Sequence, residues 1–324
     1  MNGLFRIIIT TVLTVMLGVS VTIAAQADEL RLTTQPSPFD APIFVARHKG
    51  WVEEELAKVG AVPAVKWTSF AAGPPMNESF AAGQQDIGFL GDTPAIIGKS
   101  AGIDTRIIGL TASGPKTLAV IVPTKSNIRS PRDLKGKKVS VAKGSYAHHL
   151  LVLVLEQGGL TTNDIKFINM SQADTATAIV NGDVEAAAVW EPLITALETQ
   201  GAVRVLADGT GIKKGLLVIV ATSDFAAKHR EQVKAVLRAY QRGAEFIRSN
   251  PKAAAQLVTA DVHLSAPLLL KIFPKFNFNP IIKAEDIGEL KKSEAFMRND
   301  GLIRRSVNID AFVDLGLNRE SNAR

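Results

Sequence analysis

At 324 residues with 46% hydrophobic content, the chain is long enough for two domains of ordinary size, each with a sizeable core. Its net charge of +6 comes from 37 basic and 31 acidic residues, scattered and without an aromatic-interleaved basic stripe, which argues against nucleic acid as a partner. It contains no cysteine, which excludes disulfides and a lipid-anchor cysteine.

Residues 1–27 stand apart from the rest. Arg6 is the only charge there, Ile7 to Ile23 is apolar, and Ala25-Gln26-Ala27 offers the small-x-small ending that a signal peptidase reads. A signal peptide cleaved before Asp28 is the expectation, a single membrane anchor the alternative. Export without disulfides fits a free periplasmic protein.

Next, Leu30 to Thr34 alternates as a strand, and the turn-rich Gln35 to Asp40 leads into a helix with Pro42 in its first turn. A short amphipathic helix over Trp51 to Val59, a strand at Val65 to Ser69 and a helix from Pro75 to Gly83 follow. Asp86 to Leu90 is strand-like, and Gly91-Asp92-Thr93-Pro94 opens another helix, with Thr93 as cap and Pro94 at the first helical position. Arg106 to Leu110 is a fourth strand. Such β, α, β, α alternation predicts a largely parallel sheet covered by helices.

A second set of βα units lies between two continuous apolar runs, Leu118 to Val122 and Leu216 to Val220, which are candidate buried strands. Its centre is Lys137 to Leu150: a strand through Val139, a tight turn at Gly144, and Ser145 as N-cap of an apolar helix. Free N–H groups and the positive dipole end at such a turn suit an anion. Strands follow at Ile165 to Met170, Val184 to Trp190 and Val203 to Ala207. After Ser223 the pattern is helical only. Val233, Val236, Leu237, Tyr240, Ala244 and Ile247 mark one face of a helix over 230–250, and shorter helices are predicted near 266–273, 284–296 and 309–315.

Gln84 to Pro94, Asp133 to Val139 with Gly144-Ser145, and Gly182 to Pro192 together resemble the sulfonate- and nitrate-type periplasmic solute-binding proteins, in the same order along nearly the whole mature chain. The resemblance implies an α/β fold of two lobes (the type II periplasmic-binding-protein fold), with parallel-rich sheets flanked by helices and two crossover strands. Residues 28–114 and 223–324 would form one lobe and 115–222 the other. It further implies an ABC permease and its ATPase as partners, capture and delivery of a small anionic solute, and no bond chemistry. A monomer is expected.

In open α/β sheets ligands sit beyond the carboxyl ends of strands. Four such ends carry polar turns, two from each expected lobe. The first lobe offers Gln35, Ser37 and Phe39, then Gly91, Asp92 and Thr93. The second offers Ser145, Tyr146 and His148, then Trp190 and Glu191. Ser145 and Thr93 would add hydroxyl and N–H donors for the anion, beyond plain helix capping. Trp190 would wall an organic tail, with Phe39 as a second wall. Glu191 would be a helix-start charge, or the counter-charge if the solute carries an amine. His148 and His149 are adjacent on a helix and diverge too far to share one metal ion. One of the two is expected to face the cleft as a hydrogen-bond donor, with His148 the candidate.

No catalytic residue, metal ligand or cofactor is expected. Gly144-Ser145-Tyr146 lacks the second glycine of a nucleophile elbow, and no P-loop or dinucleotide fingerprint is present. Pyrimidine-forming enzymes of thiamine synthesis share the general fold but carry a cysteine-rich motif, which a cysteine-free chain cannot contain. The commitment is to an aliphatic sulfonate or taurine. Nitrate, another small anion or a pyrimidine precursor is the alternative, as is a binding subunit that serves a sensor.

Overall fold

The computed structural model describes residues 29–322; the expected signal segment lies outside them. Ten strands form two five-stranded mixed sheets. The first contains β1 (Glu29–Thr34), β2 (Ala64–Ser69), β3 (Ile87–Gly91), β4 (Thr105–Ser113) and β10 (Leu216–Thr222), in the order β2-β1-β3-β10-β4. The second contains β5 (Leu118–Pro123), β6 (Lys138–Val141), β7 (Lys166–Asn169), β8 (Ala186–Trp190) and β9 (Val203–Asp208), in the order β7-β6-β8-β5-β9.

The chain crosses between the sheets twice, after β4 and after β9. The strand that follows each crossing, β5 or β10, runs antiparallel to both of its neighbours. These are the two continuous apolar runs, and they are apolar because helices cover both faces of each sheet: Leu118 to Val122 and Leu216 to Ala221 are all buried. Burying each Leu, Ile or Val here contributes about 1.5–3 kcal/mol. The expected lobe boundary at 222/223 is corrected by this pairing. Residues 216–222 hydrogen-bond to β3 and β4, so the return crossing falls at 209–215, and β10 belongs to the first lobe.

The remaining chain packs back on the first sheet. Helix Arg230–Ser249 buries Val233, Val236, Leu237, Tyr240, Ala244 and Ile247 on one stripe, the 3.6-residue period placing them on one face. Gly243 lets this helix lie against helix Ala41–His48, since a Cβ there would fall 1.9 Å from the Pro42 carbonyl oxygen. Two later helices reach the second lobe. Helix Ala284–Asn299 touches both helix Asp92–Ser100 and helix Tyr146–Gln157, and helix Ala266–Ile272 touches helix Leu193–Thr199. The single helix expected near 309–315 is two short ones, Ile309–Phe312 and Leu315–Asn322, separated at Val313, which bridges to Ile107 of β4.

Candidate functional site

Parallel pairing puts the carboxyl ends of β1 and β3 side by side in the first sheet, and those of β6 and β8 side by side in the second. The four polar turns follow these ends, so the topology groups the candidate residues into two pairs of loops. The two lobes meet beside the turn at Gly144: the side chain of Ile97, on the helix after β3, lies 3.7 Å from a Cβ built at Gly144.

The turn after β6 has the expected form. Gly144 has φ +80°, a left-handed conformation that other residues rarely adopt. Ser145 then caps helix Tyr146–Gln157, its Oγ accepting from the His148 N–H at 3.2 Å and its carbonyl accepting from the N–H of His148 and His149. The first-turn N–H groups of Tyr146 and Ala147 have no intrahelical acceptor, which leaves this helix end suited to an anion.

The turn after β3 differs from expectation. Helix Asp92–Ser100 is capped at Gly91, and Pro94 is its third residue. Thr93 is not the cap: its N–H and hydroxyl both donate to Asp92 Oδ1, at 2.7 and 3.1 Å. The carboxylate already compensates this helix dipole, so these two donors are spent. Asp92 Oδ2 in turn accepts from Ser293 Oγ at 2.6 Å and lies 3.5 Å from Lys213 Nζ, both fully buried. Lys213 comes from the return crossing and also meets Ser293 at 3.0 Å and Glu289 at 3.5 Å.

After β1, the Gln35 N–H donates to Asp40 Oδ2 at 2.8 Å, and the Gln35 side-chain amide reaches the Phe89 carbonyl at 3.3 Å. Burial pushes the Asp40 carboxyl well above its ordinary range, against the opposing hydrogen bonds from Gln35 and Thr111. Ser37 is buried, yet its Oγ has no hydrogen-bond partner among the described residues. A buried hydroxyl without a partner is uncommon in a folded protein. Phe39 is no open wall: the turn Pro38–Asp40 tucks it into the first-lobe core with Ile43 and Phe44.

Trp190 is half-buried and lies against Tyr146, with ring centroids 5.8 Å apart. The Tyr146 hydroxyl donates to the Thr117 carbonyl at 3.4 Å, in the outgoing crossing. Glu191 is neither solvated nor free. It is fully buried, accepts from Thr195 Oγ1 at 2.7 Å and from Lys275 Nζ at 2.5 Å, and so has its cation supplied by the other lobe.

Both histidines meet Phe296 of the first lobe. The His148 ring sits between Phe167 and Phe296 at 5.3 Å from each, its Nδ1 accepting from the Gly144 N–H at 3.4 Å. His149 stacks on Phe296 at 4.3 Å and 4°. Its Nδ1 is buried and has no hydrogen-bond partner among the described residues. Burial, the Lys213 ammonium and neighbouring His148 and Lys292 hold His149 down at about 3, with Asp92 opposing. Burial and Lys143 lower His148, with Asp300 opposing.

Lys213, Lys275, Ser293 and Phe296 escaped the sequence reading because they lie outside the βα turns. The nearest signal was the lysine pair Lys213-Lys214, one glycine before the apolar run Leu216 to Val220. Among the described residues no His, Asp and Glu cluster could hold a metal ion, and no helix is long and apolar enough to cross a membrane.

Two lobes joined by two crossings, with opposed loop sets at their strand ends, define the periplasmic-binding-protein fold. The chain belongs to the NMT1/THI5-like family, which matches residues 38–254. A provisionally named aliphatic sulfonates-binding protein of Escherichia coli (strain K12) is 35% identical over 205 residues, 63% of this chain and 64% of that protein's length. The taurine-binding periplasmic protein of the same organism is 30% identical over 66% of this chain and 65% of its own. The crystal structure of the periplasmic aliphatic sulphonate binding protein SsuA from Escherichia coli superposes with a TM-score of 0.81 at 28% identity, covering 89% of this chain and 92% of that one. The desulfurization enzyme DSZB shares the fold, with a TM-score of 0.72 at 17% identity over 91% of this chain and 99% of that one.

Proposed function

We propose that this protein is the periplasmic substrate-binding component of an ABC importer. It captures a small organic anion, an aliphatic sulfonate, between its lobes and delivers it to a permease and its ATPase. What carries this is an anion-suited helix end at Ser145 in one lobe and, in the other, a buried Ser37 hydroxyl without a partner among the described residues, both at the carboxyl ends of strands in lobes that touch. Trp190, half-buried against Tyr146, supplies the apolar wall for a tail. A sulfonate offers three acceptor oxygens to such donors and stays anionic at physiological pH. The named binding proteins among its relatives support the same reading.

Export by cleavage before Asp28, a monomeric state and capture without turnover belong to this proposal. The lobes open and close about the crossings at 114–117 and 209–215. A thermal-shift panel of alkanesulfonates, nitrate and an uncharged pyrimidine tests the ligand class. At about 100 times its Kd a true ligand stabilises the fold by roughly 2.7 kcal/mol. A shift with nitrate or the pyrimidine, and none with any sulfonate, overturns the assignment.

A further inference from the structure

Two carboxylates at the candidate site, Glu191 and Asp92, are already matched by the protein's own cations. Glu191 is fully buried and carries three close contacts: Lys275 Nζ at 2.5 Å and Thr195 Oγ1 at 2.7 Å on Oε1, and the Thr195 N–H at 3.2 Å on Oε2. Lys275 Nζ also meets Thr195 Oγ1 at 2.7 Å, with Glu198 at 3.8 Å. Lys275 is held in place beside the outgoing crossing, because Asn277, two residues on, exchanges backbone hydrogen bonds with Ser113 at 2.7 and 3.1 Å. Asp92 is occupied in the same way by Lys213, Ser293 and the Thr93 N–H. Burial favours the neutral form of Asp40, against the hydrogen bonds from Gln35 and Thr111.

On the sulfonate reading above, we infer that Lys275 is a specificity-determining residue: by pairing with Glu191 across the lobes it occupies the place of a ligand ammonium, so the site takes alkanesulfonates and rejects amino-sulfonates. A zwitterionic solute would bring an ammonium with no free carboxylate to receive it, near two lysine ammonium groups. Like charges and an unpaired buried cation both oppose that outcome. An alkyl tail at the same position meets neither penalty. This revises the role expected for Glu191, whose charge is directed inward to Lys275.

The test compares taurine with 1-propanesulfonate, which replaces the ammonium by a methyl group of similar size, by calorimetric titration of the wild type at pH 7. The wild type should prefer 1-propanesulfonate by at least tenfold. Folded Lys275→Ala frees Glu191 for the ligand and should cut that preference at least tenfold. Glu191→Gln leaves Lys275 unpaired and should widen the gap between the two sulfonates by weakening taurine further; this variant decides the matter if Lys275→Ala does not fold. A wild-type preference below tenfold overturns the inference. So does a preference unchanged in folded Lys275→Ala, or a Glu191→Gln variant that binds taurine as well as the wild type does. If neither sulfonate binds the wild type, the sulfonate reading itself fails and this inference falls with it.

Discussion

Acidification should weaken ligand capture, because closure buries His149 in a neutral form. Its ring stacks at 4.3 Å on Phe296 from the opposite lobe and is 4% exposed, so separation of the lobes returns it to water. In water the imidazole has its ordinary value of 6.5, and in the closed arrangement it is held at about 3. A depressed histidine contributes its full stabilisation above 6.5 and loses it as pH falls towards 3. At pH 5, about 1.5 pH units below the ordinary value, keeping the ring neutral costs about 2 kcal/mol. That corresponds to roughly a 30-fold loss of affinity between pH 8 and pH 5. The lowered His148 adds to the loss in the same direction. Calorimetric titration of 1-propanesulfonate at pH 8, 6.5 and 5 reads the effect without interference, since the sulfonate does not titrate there. His149→Phe keeps the aromatic stack and should flatten most of the dependence. An affinity that is flat or rises towards pH 5, or a His149→Phe variant that falls as steeply as the wild type, refutes the reasoning.

Two further outcomes concern stability. Gly243→Ala places a Cβ 1.9 Å from the Pro42 carbonyl oxygen, so the urea midpoint should drop by the equivalent of about 2 kcal/mol or more, outweighing the helix-propensity gain of about 1 kcal/mol. A variant as stable as the wild type would contradict the close helix contact. Asp40→Asn should stabilise the fold as pH rises above 3.8: the unfolded carboxyl ionises near 3.8 while burial raises the folded one well above it, so the wild type loses stability over that range. The gain should close below pH 3.8, and urea melts at pH 3.5 and 7 that show the same difference would refute a neutral Asp40.

Local sequence was enough for most elements, because the physics that makes them is local. Alternation marks β1 and β6, continuous apolar runs mark the doubly covered β5 and β10, and the stripe from Val233 to Ile247 marks the long helix. Gly144 and Ser145 specified their own turn and cap. What residues near in sequence could not reveal was which long-range partner each polar group would find. Thr93 reads as a cap until Asp92 takes its donors, and Asp92 is held by Lys213 and Ser293, 121 and 201 residues away in sequence. Glu191 reads as a solvated helix-start charge until Lys275 arrives from the other lobe, 84 residues on. Strand β10 belongs to the first lobe because it pairs with β3 and β4, which its own composition does not record. Secondary structure follows from periodicity within a segment, whereas charge matching and lobe membership depend on contacts that exist only once the chain has folded back on itself.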